Sequence, residues 1–405
     1  MRICKGAIVA KVPRKAKIVA FAAIAVPVRG DSPAILSTIV RMCFGGRFMP
    51  RPLFVFAAML LGVVLFAQHV AAQDYVTSTS GGTRIWAGGG VQFLSLPEIK
   101  FTGVGGVGNV KRQDNTKKDF WDAGGAGAAG IETSLGNWGG WLVTGTFKGF
   151  YANVETDRRV SCSGATNCVV TDPTGAITFV SGRLSTKTDR DADYWGGQAE
   201  LKFGTGVPQE VKPEMYRNDF FILGFDVRGI DQDNKLSSST GTVFTLRETL
   251  DTTYTGGYIG LGGEYSFGFV PVVGKWLKGQ GGFLDRLGFR TYLKATAGFY
   301  NASTDYSGRF TGPAATATRL STSDDDFAFI GTLSLETRKQ LSQRTSISLW
   351  TDYEYISSAP SMHYANNARD TTRIETTDAF ATRTMLRLNI GLGSNQLYAP
   401  AYNGY

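Results

Sequence analysis

Along residues 290–300 apolar and polar side chains take turns. Thr291, Leu293, Ala295, Ala297 and Phe299 fall on one face, and Arg290, Tyr292, Lys294, Thr296, Gly298 and Tyr300 on the other. A period of two is the signature of a strand whose faces meet unlike surroundings. The same alternation sets Phe327, Phe329, Leu333 and Leu335 against Thr332, Ser334, Glu336 and Arg338. It sets Leu386, Leu388, Ile390 and Leu392 against Arg383, Arg387 and Asn389. Phe221, Leu223, Phe225 and Val227 oppose Asp226 and Arg228, and Trp195, Ala199, Leu201 and Phe203 oppose Gln198, Glu200 and Lys202.

The pattern predicts ten strands, near residues 84–95, 119–133, 139–154, 191–204, 219–232, 250–267, 288–301, 325–339, 344–357 and 378–393. They exceed the ~5–6 residues usual in soluble sheets. They match the ~9–11 that a tilted strand needs to cross a bilayer. The connections predicted after the odd-numbered strands are long and polar: 96–118, 155–190, 233–249, 302–324 and 358–377. Those after the second and eighth are tight, at 134–137 and 340–343, and the fourth is followed by a moderate one at 205–218. An amphipathic stretch at 268–287 breaks the pattern. Alternating segments at 99–110, 176–184 and 240–250 read as hairpins above the bilayer, and one of them crossing would bring the count to twelve.

Two architectures give strands with one polar and one apolar face. A soluble sandwich buries the apolar face between sheets. A membrane barrel turns it to lipid and keeps the polar face inside. Three features favour the barrel: mid-strand charges of both signs, an export leader, and apolar faces ending in aromatics (Trp141, Trp195, Tyr265, Phe267, Phe299, Tyr353, Tyr355 and Phe380).

The leader begins at Met49. Arg51 supplies positive charge, residues 53–66 form an apolar run, and Val70-Ala71-Ala72 offers small residues for cleavage before Gln73. Residues 1–48 read as an over-extended start, 49–72 as a signal peptide, and 73–405 as the barrel with a short tail. Charge follows the same division. Of 42 Lys and Arg and 34 Asp and Glu, ten basic residues and one acid (Asp31) fall in 1–72, leaving 32 and 33 beyond. The basic character thus belongs to the leader, and no nucleic-acid partner is expected. Cys162 and Cys168 are the only cysteines after the leader, and their short spacing in a polar segment suits a local disulfide in an oxidising compartment.

The signal peptide, the period-two strands and the last strand, AFATRTMLRLNIGLG, together resemble the general class of bacterial outer-membrane β-barrel proteins over about residues 73–393. The resemblance implies an all-β, antiparallel, up-and-down transmembrane barrel in contact with outer-membrane lipid. It also implies that barrel-assembly machinery reads the last strand. The chain departs from the class in placing a tail, 394–405, after that strand.

The inward faces carry the candidate functional residues: Lys148, Glu200, Lys202, Asp226, Arg228, Glu264, Arg290, Lys294, Glu336, Arg338, Asp352, Glu354, Arg383 and Arg387. A narrow barrel is either closed by pairing such charges or left as a small channel lined by them. No cofactor fingerprint stands where one would work, since the glycines at 88–90 lie within a strand. No metal site is expected: Asp324, Asp325 and Asp326 lack the spaced ligands of a calcium loop. His363, beside Ser361 and Asp370, and the Asp-x-Asp pairs Asp191/Asp193 and Asp231/Asp233 allow an enzyme at the rim. Neither the omptin-like nor the deacylase-like motif is present. The expectation is a non-enzymatic barrel, either a small pore or a lumen-filled scaffold. Binding through extracellular loops, as an adhesin or receptor, is the main alternative, and the sequence names no ligand for it.

Overall fold

The computed structural model describes residues 82–106, 109–115, 121–175, 178–204, 217–267, 289–313, 317–342, 344–365, 367 and 369–392. The leader, the amphipathic connection at 268–287 and the tail at 394–405 lie outside the described residues, as do their expected roles.

Among the described residues twelve strands follow one another: β1 (Thr83–Ser95), β2 (Thr102–Gly106), β3 (Asn109–Arg112), β4 (Asp122–Trp138), β5 (Trp141–Thr171), β6 (Thr178–Gly204), β7 (Arg217–Thr240), β8 (Thr245–Tyr265), β9 (Phe289–Thr311), β10 (Ala317–Gln340), β11 (Thr345–His363) and β12 (Arg373–Leu392). From β4 to β12 each strand pairs antiparallel with the next, while β1 pairs with both β4 and β12, which closes a ring of ten. Closure removes every open edge, as a lipid-embedded sheet requires, since no water is there to satisfy free backbone groups. The other two strands form a hairpin, and β2 adds it to the upper end of β5 through residues 102–104. The expected count of ten therefore describes the wall, and neither hairpin strand joins the ring.

The period-two pattern works as expected. On β9 the even-numbered residues point inward and the odd-numbered ones outward, so Lys294 and Tyr300 are buried while Phe299 is 74% exposed. Phe147, Leu223, Ile259, Leu261, Phe327, Leu386 and Leu388 are exposed on the outside as well. In water such a surface would drive aggregation; in a bilayer it is the solvated face. Rings of Trp121, Phe380, Tyr355, Phe329 and Phe299 follow one another around β9–β12 and the start of β4, with neighbouring centroids 5.3–6.5 Å apart. These amphipathic and apolar rings form one girdle of the lipid belt. Two outward aromatics are wholly or partly covered by neighbours on the same face. Tyr265 is buried and donates to Asp219 Oδ1 at 2.8 Å, and Trp195 is half-buried with its Nε1 on Asp231 Oδ2 at 3.0 Å.

The first tight turn sits later than expected. Residues 134–137 stay in strand, with a bulge between Ser134 and Gly136, and the chain reverses at Gly139 and Gly140. Their φ values of 58° and 90° suit the primed two-residue turn whose twist matches a hairpin. Both termini of the ring lie at this end, because Thr83 pairs with Leu392 and Thr133. Short turns and termini mark the periplasmic side.

The opposite end departs furthest from expectation. Much of the sequence read as long loops, at 155–190, 233–249, 302–324 and 358–377, is strand running on past the girdle. Beyond the membrane the outward face meets water and carries Ser, Thr, Lys and Asp, so the contrast between faces fades although pairing continues. The result is a crown of paired strands. Asp324, Asp325 and Asp326, expected in a loop, are part of β10, where successive residues alternate between the two faces.

Candidate functional site

All fourteen charged residues read as inward do lie on the inner face, and the structure brings most of them into contact. Towards the periplasmic end, Lys202 Nζ meets Glu132 Oε2 at 2.5 Å and Arg84 meets Glu132 Oε1 at 2.9 Å. Arg338 lies 2.9 Å from Glu336 and 3.9 Å from Glu264. Midway, Glu200 receives Lys294, the Tyr258 hydroxyl at 2.8 Å and Lys148 at 3.5 Å. Nearer the crown, Arg228 binds both Asp226 and Glu354, and Arg383 reaches Asp352 at 2.9 Å and Glu354 at 3.4 Å. Arg290 has its Nη1 3.4 Å from the Phe289 carbonyl oxygen. Arg387 is held between ring faces, 4.0 Å from the Trp86 centroid and 3.5 Å from that of Trp350.

Burial accompanies this pairing. Arg228 is 2% exposed and Asp226 wholly buried, and Glu200, Lys294, Glu336, Asp352, Glu354, Arg383 and Arg387 are all buried. Charges lining a water-filled passage would be wetted. These are packed against one another and against inward aromatics, among them Trp86, Phe150, Tyr194, Tyr254, Tyr258, Tyr292, Tyr300 and Trp350. A glycine on the neighbouring strand makes the room: Gly88 stands opposite Arg387 in the β1–β12 pair, and a Cβ there would stand 2.7 Å from Arg387 Cγ and 2.6 Å from the Leu386 carbonyl oxygen. The sequence reading passed over Arg84 and Glu132, although both fall on the inward phase of strands it had found. Tyr292 and Tyr300 fall on the inward face as their phase predicts, whereas Trp86, Phe150, Tyr194, Tyr254, Tyr258 and Trp350 were not singled out.

A segment also lies across the mouth of the barrel. After β1 the chain turns inward, and Phe101 is buried with its ring 5.6 Å from Phe244, 5.7 Å from Phe310 and 5.0 Å from Tyr364. Those partners belong to the β7–β8 connection, β9 and the chain just past β11, so the segment spans the opening. Asn115 fixes it, its Oδ1 accepting from the amides of Phe101 at 3.0 Å and Thr102 at 3.1 Å. Arg190 Nη2 donates to the Pro97 carbonyl at 2.8 Å, and Arg112 Nη2 to that of Ala365 at 2.7 Å. Around Phe101 lies a second apolar core that includes Ile99, Val170, Leu184, Leu236, Leu246, Met362 and Ile374.

Cys162 and Cys168 form a disulfide within this core, their Cα atoms 6.0 Å apart. Contrary to the polar loop expected, both are buried in β5, where they flank a register break between Ser163 and Cys168. The rim residues point the other way. His363 Nε2 lies 3.1 Å from Asp370 Oδ2 and its Nδ1 3.5 Å from Glu375 Oε1. Ser361 Oγ donates to the Glu375 carbonyl oxygen at 3.2 Å. Asp193 faces Asp231, and Asp191 faces Asp233, across neighbouring strands on the outer surface.

No protein-family model matches the sequence, and no curated protein does. Among solved structures, the outer membrane protease OmpT of Escherichia coli aligns over 79% of this chain and 99% of its own, at 9% identity and a TM-score of 0.43. A Pseudomonas aeruginosa FadL homologue covers 76% of this chain and 89% of its own (6% identity, TM-score 0.22). The Pseudomonas putida toluene transporter TodX covers 81% and 93% (7% identity, TM-score 0.17). All three scores lie below 0.5, and it is the closed ring, its register and its two-faced strands that establish the fold. The architecture is that of a bacterial outer-membrane β-barrel.

Proposed function

We propose that this protein is a non-conducting outer-membrane barrel, a lumen-filled scaffold that holds an ordered extracellular crown for binding. The observation that carries the reading is the double closure. Buried ion pairs fill the membrane level, and the Phe101 segment spans the mouth. A filled lumen offers solute no path. The residues that remain free to meet a partner are those on the crown, which the expected adhesin or receptor reading would use. This reading takes the protein as non-catalytic although His363 has in Asp370 the acid partner that general-base work needs, because Ser361, the candidate nucleophile, has its Oγ donating to the Glu375 carbonyl oxygen. Delivery fits a substrate of barrel-assembly machinery, with β12 as the strand it reads and Leu386, Leu388 and Ile390 on its lipid face.

Single-channel recording tests this. The full chain, folded in detergent and inserted in a planar bilayer, should give no discrete conductance steps. Regular steps whose ion selectivity shifts on Arg383→Glu or Arg387→Glu would overturn the filled-lumen reading and restore the pore.

A further inference from the structure

The register of the crown stacks four cations side by side on its outer surface. Lys235 on β7 stands opposite Arg247 on β8, Arg247 opposite Arg309 on β9, and Arg309 opposite Arg319 on β10, while Asp189 on β6, opposite Lys235, ends the row. All four are exposed. Like charges directly across a sheet repel, and natural strands usually interleave opposite signs. Some other surface cations of this barrel do find acids: Lys187 lies 2.6 Å from Asp189, Arg217 2.6 Å from Asp219, and Arg373 2.6 Å from Glu375. Among the described residues, none of the four in the row has a carboxylate within 4.0 Å. With strands ~4.8 Å apart, the row is roughly 15 Å long.

Hydroxyls flank it on both sides. Thr249, Ser307 and Ser321 form the row below, with Asp233 at its β7 end and Thr249 Oγ1 2.8 Å from Ser307 Oγ, and Ser237, Thr245 and Thr311 form the row above. A cavity of about 810 Å³ opens on this face, lined by Lys235, Arg247, Arg309 and Arg319, by the hydroxyls of Thr249, Ser307 and Ser321, and also by Asp233 and Glu248, so that the cations outnumber the acids four to two.

We infer that this face binds an anionic glycan. Evenly spaced cations suit a chain with recurring sulfate, phosphate or carboxylate groups, and the flanking hydroxyls suit sugar hydroxyls. These rows hold no aromatic side chain, so the stacking platform used for single-stranded nucleic acid is missing. Lipid headgroups lie too low. Arg309 is ten residues beyond Phe299 of the girdle, roughly 33 Å along the strand and about 25 Å in height at the usual tilt. Between them Asp193, Asp231, Asp251 and Asp305 face one another across four strands, a negative row that keeps an anionic chain on the crown.

The inference rests on reading the crown as a binding surface, and conductance tests the filled lumen separately. The experiment is binding of a labelled heparin oligosaccharide to the full chain in micelles free of lipopolysaccharide. Its desulfated form, the phosphorylated oligosaccharide released from lipopolysaccharide, and duplex DNA run alongside. Binding of heparin should fall steeply with salt, vanish on desulfation, and weaken roughly tenfold or more when Lys235, Arg247, Arg309 and Arg319 all become Gln. Single Arg247→Gln and Arg309→Gln variants should lose less, in the same direction, and Arg→Lys at those positions should keep most binding. Preference for the phosphorylated oligosaccharide would support the same site and place its glycan on the bacterium's own surface. Tighter binding of DNA, no binding of either glycan, or binding indifferent to the four substitutions would overturn the inference.

Discussion

The Tyr194 hydroxyl donates to Glu354 Oε2 at 2.7 Å, and the two residues stand on β6 and β11, five places apart in the ring of ten. The hydrogen bond therefore spans the barrel at its width. Glu354 also receives Arg228 and Arg383, so one carboxylate ties β6, β7, β11 and β12 together. Removing the phenol and removing the carboxylate should differ sharply. Tyr194→Phe loses one hydrogen bond, about 1 kcal/mol. Glu354→Ala leaves two buried guanidiniums short of a partner, about 3–5 kcal/mol. Guanidinium unfolding in micelles measures both, and equal losses would show that the charges are not held as a network.

Phe101 anchors the segment that spans the mouth. Replacing it with Ala should cost the crown about 3–5 kcal/mol, the usual loss for a buried Phe. The ring at membrane level shares none of those contacts and should stay folded. Trypsin reports the difference, because Lys100, Lys111 and Arg112 flank the segment. Fast cleavage there in Phe101→Ala, with an intact barrel band on a gel, is the expected result. Unchanged cleavage would mean that the hydrogen bonds of Asn115, Arg190 and Arg112 fix the segment without the ring.

The wall of the barrel was legible in the sequence because lipid and lumen impose opposite demands on neighbouring residues. Leu386, Arg387 and Leu388 show that alternation plainly, and all ten wall strands follow from it. Above the girdle the outward residues are polar too. Segments such as 233–240 and 302–311 lose the signal while keeping their hydrogen-bonded partners. The lumen charges were legible as inward by their phase. Which charge meets which was not, since Arg228 and Glu354 lie 126 residues apart and meet only through closure of the ring. The Lys235–Arg319 row was hidden for the same reason: its members are spread over β7 to β10, and register alone aligns them.

The disulfide closes a short bulge, and the residues around it are buried apolar ones. A loop of this size gives about 2–3 kcal/mol by chain entropy. A Cys162→Ser/Cys168→Ser variant should lose that much from the crown. Hydrogen exchange should quicken near Val169, Val170 and Leu184 and leave β11 and β12 at membrane level unchanged. Exchange rates equal to those of the parent would show that the bulge is held by packing without the bond.

Glu248 gives the crown a pH dependence whose sign can be stated. Burial lifts its carboxyl above the ordinary value, although hydrogen bonds from Tyr364, Tyr306 and Asn234 and the charge of Arg190 pull the other way. Between the unfolded value near 4.5 and the raised one, the folded crown holds a proton that the unfolded chain has lost. Stability therefore falls as pH rises through that window and returns on acidification. Asp233, raised by partial burial and by Asp251, Asp191 and Asp193, acts in the same direction. Protection of crown amides, corrected for intrinsic exchange, should be greater at pH 5 than at pH 7. In a Glu248→Gln/Asp233→Asn variant that difference should shrink. A parent protein whose crown is better protected at pH 7 would show that Glu248 is held as a carboxylate, with its hydrogen bonds outweighing its burial.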